Sequence, residues 1–484
     1  MGLFFCQAFE RTCKRENVKV RGDMRRGKEA LYIILVTLAV FAVAGCKPGR
    51  QAQEKSAAPV DPTVSRRLAI VSPAFLSPKM ERQRETSHDW TVVFAKDGAG
   101  IAYVEPVGEK FRVVHNGDVG KPYLGISELS ISSDGRRVAY VGAINDHLNK
   151  MVVDGKEGYA FGPDDNHWFT PDGKRHISTV ARYGGKYVVV EGRVISGYRI
   201  EGGLVIGPDS RSIAFSVKVP NGGRQFIVSD LEFRNKTVFD SCGDFMLTSA
   251  GDALLAVGCS KGGSTGIKAI DFVTRRVISN IQYHGTITRM KFSPLRDSLV
   301  FTYMDKDNKR YVVYNGREEE IPAGDEFMTD PIVLSDPESV GIVIGDVYKM
   351  RFYRVFQKRN KNGKPYGFIS DLVSSGDGRH YAFVATDMGD RQMHIVVDGH
   401  EGPKFDKIVT PVFSLDSRLL VYRAREAGKR FVVVSDENGR TIGRHKDYEM
   451  VFQPEFLSDG RLIAYGVLDG NELWWKVENL AGRR

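Results

Sequence analysis

The chain has 484 residues, with 69 Lys and Arg against 60 Asp and Glu, a net charge of +9. So small a surplus, spread along so long a chain, excludes the clustered basic face or helix of a nucleic-acid-binding domain. The 10 histidines form no His-x-x-x-His pair and the 5 cysteines no Cys-x-x-Cys, so no zinc site and no metal or other cofactor is expected.

Residues 24–46 read MRRGKEALYIILVTLAVFAVAGC: Arg25, Arg26 and Lys28, then an apolar run from Leu31, then small residues before Cys46. A basic n-region, an apolar h-region and a small-residue exit make a secretory signal. A membrane span needs about 20 apolar residues, and the run ends sooner, at Lys47 and Pro48. The segment Val43-Ala44-Gly45-Cys46 resembles the lipobox of bacterial lipoproteins, with Val43 where Leu is usual. That resemblance implies lipidation of Cys46 as the first mature residue, with residues 24–45 as signal peptide. Met24 is then the natural initiator, and residues 1–23 are a non-native extension. The first 45 residues carry eight Lys/Arg and four Asp/Glu, so the mature chain falls to about +5. Among the lipoproteins it resembles, Lys rather than Asp after the lipidated cysteine implies sorting to an outer membrane, and Lys47 stands there.

Residues 46–87 are rich in Pro, Ala, Gln and charge, and read as a tether. Arg67-Leu-Ala-Ile-Val-Ser72 is a strand-like exception. From Trp90 the chain repeats itself. Clear copies are Ser132-Ser-Asp-Gly-Arg-Arg-Val-Ala-Tyr140, Thr170-Pro-Asp-Gly-Lys174, Gly207-Pro-Asp-Ser-Arg-Ser-Ile-Ala-Phe215, Ser375-Gly-Asp-Gly-Arg-His-Tyr-Ala-Phe383, Phe413-Ser-Leu-Asp-Ser-Arg418 and Leu457-Ser-Asp-Gly-Arg-Leu-Ile-Ala-Tyr465. Weaker copies lie around Asp97, Gly251, Arg296 and Asp336, giving ten turns at intervals of 37 to 45 residues.

A clear copy places a tight turn, most often Asp-Gly, between two apolar strands, where Gly accepts positive φ and Asp bonds back to the backbone; the copies at Gly251, Arg296 and Asp336 lack Asp-Gly. A third strand follows, as in Lys186-Tyr-Val-Val-Val190 or His394-Ile-Val-Val-Asp398, and a less regular fourth. Four antiparallel strands in about 40 residues make one blade of a β-propeller. The Ser-Pro-Asp-Gly-Arg…Ala-Tyr motif resembles the WD-repeat-like propellers of TolB and similar envelope proteins, over roughly residues 88–480. The expected fold is therefore all-β, about ten four-stranded repeats, in one large ring or two smaller ones. The last copy is one strand short, and residues 67–72 are placed to supply it, closing the ring and hiding two sheet edges.

Cys242 and Cys259 are the remaining cysteines, in a compartment that permits a disulfide. A two-residue turn at Ala250-Gly251 would give facing residues a constant index sum of 501 and set Cys242 opposite Cys259. A three-residue turn including Asp252 removes that pairing, and two unpaired thiols is the competing reading.

Candidate chemistry is sparse, and no catalytic residue is expected. Gly258-Cys-Ser-Lys-Gly262 matches the Gly-x-Ser-x-Gly elbow, which needs a strand–turn–helix setting; glycines follow, and Ser260 reads as loop. Asp305-Lys-Asp-Asn308 and Asp164-Asp-Asn166 complete no calcium loop. Of Trp474 and Trp475, adjacent on a strand, one should face the blade core and the other outward, where packing against the neighbouring blade is a commoner fate than a contact surface. The function that fits is a lipid-anchored, non-catalytic scaffold binding a protein partner in the cell envelope, in an outer membrane facing the periplasm. Charged loops 145–150, 218–224 and 423–429 are the expected contact surface. The alternatives are a hydrolase or lyase, or a sugar or small-ligand binder, acting at the central channel. Nucleic acid is not an expected partner.

Overall fold

The computed structural model describes residues 63–480, apart from 78–79, 81–90, 183–184, 196–198, 219–223, 243, 250–253, 262–263, 272–276, 293–298, 336–337, 358–361 and 458–461. Cys46 and the rest of residues 1–62 lie outside the described residues.

Strand formation follows the repeat. The described chain forms ten antiparallel sheets in sequence order: blade 1 (92–119), blade 2 (125–160), blade 3 (167–194), blade 4 (200–242), blade 5 (244–284), blade 6 (286–320), blade 7 (326–366), blade 8 (368–405), blade 9 (407–444) and blade 10 (450–479). The turn positions at 97, 134, 172, 209, 377 and 416 fall between the first and second strands of their blades, and those at 251, 296, 336 and 459 lie outside the described residues.

The turn chemistry is visible atom by atom. In blade 2, Ser132 Oγ donates to Asp134 Oδ1 at 2.6 Å, and Asp134 Oδ1 accepts the Arg136 amide at 3.1 Å. Gly135 takes φ 72°, a left-handed value that a side chain would strain. Thr170 and Asp172, Ser375 and Asp377, and Ser414 and Asp416 repeat the hydroxyl–carboxylate bond at 2.6, 2.6 and 2.7 Å. Neighbouring turns are also stitched together. Ser133 Oγ donates to Pro171 O at 3.0 Å, the Asp172 amide to Ser210 Oγ at 2.9 Å, Ser335 Oγ to Asp377 O at 2.7 Å and the Asp377 amide to Ser417 Oγ at 3.2 Å.

Packing settles the ring. Each blade shares a core with the next: Val104 and Val113 with Ile126 and Tyr140, Val141 with Phe169, Ile177 with Ile213, Phe226 with Ile270, Ile267 with Ile287, and Val312 with Val340. Phe352 then packs with Tyr381, Val397 with Leu420, and Val434 with Ile463. Met450, Phe452 and Leu473 of blade 10 share a core with Val92, Ile101 and Tyr103 of blade 1. This is one closed β-propeller of ten blades. Successive first strands touch, Ile200–Ile206 against Asp244–Ser249 and Phe368–Ser374 against Lys407–Phe413, which places them around the axis and the fourth strands at the rim.

The missing strand comes from the N-terminal side. Thr63–Ile70 pairs antiparallel with Glu472–Asn479, from Thr63 opposite Glu478 to Ile70 opposite Glu472. Val71, Phe75 and Met80 are buried beyond it, so described residues before 88 also belong to the ring.

One register departs from the sequence reading. Phe245 faces Cys259 and Leu247 faces Val257, so the hairpin of blade 5 turns through a longer loop than two residues. Cys242 lies on the last strand of blade 4, opposite Arg224. The cysteines belong to different sheets, and the hairpin argument for a Cys242–Cys259 disulfide does not hold.

Candidate functional site

The segment entering blade 2 and the segment entering blade 8 carry the same four residues, Gly120-Lys-Pro-Tyr123 and Gly363-Lys-Pro-Tyr366. Each meets a matching turn in its blade, Asp154-Gly-Lys-Glu-Gly158 and Asp398-Gly-His-Glu-Gly402. The frame they build is shared. Lys121 Nζ and Tyr123 Oη donate to Glu157 Oε1 at 2.6 and 3.2 Å. Lys364 Nζ and Tyr366 Oη donate to Glu401 Oε1 at 2.7 and 2.9 Å.

What fills the frame differs. In blade 2, Lys150 Nζ reaches Glu157 Oε2 at 3.4 Å, completing a closed ion pair. The equivalent position of blade 8 is His394: Lys150 pairs with Gly142 and Ala160, and His394 with Ala385 and Lys404. His394 is 1% exposed and neither ring nitrogen has a hydrogen-bond partner; its Nε2 stands 3.8 Å from Glu401 Oε1. Asp387, where blade 2 has Ile144, adds a carboxylate that Lys364 and Lys404 each contact at 2.9 Å. Lys404 also holds Asp390 at 2.6 Å.

Burial holds the His394 pKa below the ordinary imidazole value, which leaves the ring neutral. Bonds from Lys404 and Lys364 pull Asp387 down to about 2, and Lys364 chiefly lowers Glu401. The station therefore presents a neutral imidazole and two carboxylates, bridged by ammonium groups. Sequence reasoning passed over it because its members come from two blades; the doubled Gly-Lys-Pro-Tyr was the available signal.

A cleft of about 330 Å³ lies between blades 2 and 3, lined by Arg137, Tyr159, Phe161, His176 and Glu191 among others. Arg137 in its wall is held by carboxylates. Arg137 donates to Glu191 through both terminal nitrogens, at 2.8 and 3.1 Å, and through Nε to Asp154 at 2.9 Å. His176 Nε2 lies 3.2 Å from His167 Nδ1, and burial pulls the His176 pKa down to about 3.

The hairpins between second and third strands share one face of the ring with the starts of the first strands. There, Tyr348 is 83% exposed, Val347 70%, Met388 60% and Phe368 45%, all in the adjacent blades 7 and 8. The loops expected to carry contacts are slighter. Asn145 pairs with Leu148 and Glu426 with Lys429, leaving two-residue turns, and residues 219–223 lie outside the described residues.

The other sequence candidates are structural. Ser260 lies within the strand Leu254–Lys261, not in a loop, and the next element is the strand Ser264–Asp271, so the elbow setting is absent there. Asp305 Oδ1 accepts the amides of Asp307 and Lys309, both at 2.9 Å, and Asp165 Oδ2 accepts those of Gly162 and Ala181 at 2.9 and 3.2 Å. Trp475 is buried against Gly98 and Phe94 of blade 1. Trp474 packs on the opposite side, into the core shared with blade 9. Each tryptophan packs against a neighbouring blade and neither is left as a contact surface, because both faces of a propeller sheet are covered.

No protein-family model matches the chain, and no curated protein matches it. Solved propellers do. A crystal structure of the eukaryotic initiation factor is 13% identical over 78% of this chain and 98% of its own, with a TM-score of 0.41. The Dos1 propeller is 14% identical over 65% and 91%, TM-score 0.36. TolB from Acinetobacter baumannii is 16% identical over 58% and 77%, TM-score 0.26. These are likenesses of fold, on which unrelated functions are grafted.

Proposed function

We propose that this propeller is a lipid-anchored, non-catalytic scaffold that binds a protein partner in the bacterial cell envelope. The observation that carries the reading is the apolar group Val347, Tyr348, Phe368 and Met388, exposed on one face of two adjacent blades. Large apolar side chains grouped on a rigid surface mark contact sites, and Tyr is among the residues that dominate binding energy. The lipobox-like Val43-Ala-Gly-Cys46 supports lipidation at Cys46, and Lys47 supports an outer-membrane address facing the periplasm.

The test is in-cell crosslinking followed by affinity purification of the full chain. One stoichiometric envelope protein is expected, and its yield should fall at least tenfold with Tyr348→Ser plus Met388→Ser. An unchanged yield from that variant would remove this face from the reading, and recovery of no protein would sink the scaffold. Cys46→Ser should release the chain from membranes; retention would refute the anchor.

A further inference from the structure

We propose that Asp387, His394 and Glu401 form a divalent-cation site of the zinc or manganese class at the junction of blades 7 and 8. The ion would take the position that the Lys364 ammonium holds between the two carboxylates. One ligand atom from each of the three residues lies within 4.8 Å of the others. Zinc held by nitrogen and oxygen at about 2.0–2.2 Å brings its ligand atoms roughly 3.3 Å apart. Rotamer adjustments within the hairpin would close the difference.

Three observations point to an ion. The first is His394 itself, buried to 1% exposure with both ring nitrogens unbonded and Nε2 aimed at Glu401. A buried polar group without a partner is uncommon and carries a cost. A neutral imidazole is also the form that ligates metal.

The second is the cation already present. Lys364 Nζ contacts Asp387 Oδ1 at 2.9 Å and Glu401 Oε1 at 2.7 Å, a single charge bridging the pair from a side chain that is 51% exposed. Such a group can swing into solvent. Lys404 would keep Asp387 Oδ2 and Asp390, and the Tyr366 hydroxyl would keep Glu401 oriented.

The third is the internal comparison. Blade 2 has the same Lys-Pro-Tyr and Glu frame, and there Lys150 fills it and Ile144 stands where Asp387 does. Blade 8 has an imidazole in place of the Lys150 ammonium and a carboxylate in place of Ile144, and Lys404, where blade 2 has Ala160, pairs with one oxygen of that added carboxylate. The first two exchanges run toward a ligand set, and the third leaves Asp387 Oδ1 to Lys364 alone. One imidazole and two carboxylates suit zinc or manganese, and water would complete the coordination at so partly exposed a site.

The experiment is calorimetric titration of the metal-stripped full chain with Zn²⁺, repeated with Mn²⁺. One ion per chain is expected, at least tenfold weaker in His394→Gln and at least tenfold tighter in Lys364→Met, which removes the competing cation. Glu157→Gln in blade 2 should leave the affinity unchanged. No binding by the wild type and by Lys364→Met would overturn the site, as would affinity indifferent to His394→Gln. Should His394→Gln fail to fold, as judged by circular dichroism, the tightening in Lys364→Met decides alone, and its absence overturns the proposal.

Discussion

Val64 pairs with Val477, so the first strand of the ring is hydrogen-bonded to the last. The ten-bladed circle is closed by hydrogen bonds across blade 10 as well as by packing between blades 10 and 1. Deleting residues through Ile70 would bare the edge of Glu472–Asn479, and an uncovered edge templates pairing with another chain. The truncated chain should melt earlier than the full one and elute as concentration-dependent oligomers in size-exclusion chromatography. A monomer with unchanged melting would contradict this closure.

Trp475 is the main apolar plug of the same seam, 6% exposed with its ring 5.6 Å from that of Phe94. Truncating a buried aromatic costs about 3–5 kcal/mol. Trp475→Ala should lose that much in urea unfolding, and Trp474→Ala, on the half-buried side, distinctly less.

Gly466 tests how tightly the seam is packed. A Cβ there would sit 2.2 Å from Phe94 Cε2, so the Phe94 ring must move. Gly466→Ala should cost about 1–3 kcal/mol. Adding Phe94→Leu should recover part of the loss, and a double-mutant cycle measures how much; strict additivity would mean the two positions do not meet.

His176 supplies a pH dependence. Burial lowers its folded pKa to about 3, whereas an unfolded imidazole titrates near 6.5. Between those values the unfolded chain binds a proton that the folded chain does not, so stability falls as pH drops through that window. The contribution should reach about 1.4 kcal/mol per pH unit. His176→Gln should flatten the stability–pH curve by that slope between about pH 6 and 4, read by urea unfolding at each pH.

The fold was largely legible because its signal is local. Asp134-Gly135 and Asp377-Gly378 name their turns through side-chain and φ chemistry contained within a few residues, and the spacing then counts the blades. The ring size was not legible, since it depends on Phe452 meeting Val92 across the whole repeat array. The blade 5 register was missed because Ala250-Gly251 reads as a complete two-residue turn when the loop is longer. The Asp387–His394–Glu401 station was missed for a related reason. A lone histidine on an apolar strand looks like core until the neighbouring blade delivers Lys364 and Tyr366 to its side.

The stitched Asp turns have a collective consequence in acid. Ser132 chiefly lowers the carboxyl pKa of Asp134. Burial pushes those of Asp172, Asp209, Asp377 and Asp416 up, but hydroxyl and amide hydrogen bonds together outweigh it and leave each below the ordinary value. Each turn thus contributes stability above the unfolded carboxyl value and loses it as pH falls through its own folded value. Because the turns share one chemistry, their losses all fall on the acid side of the ordinary carboxyl value. Acid should therefore act on this molecule as on a row of latches of one make, loosening the circle at many turns and not at a single weak point.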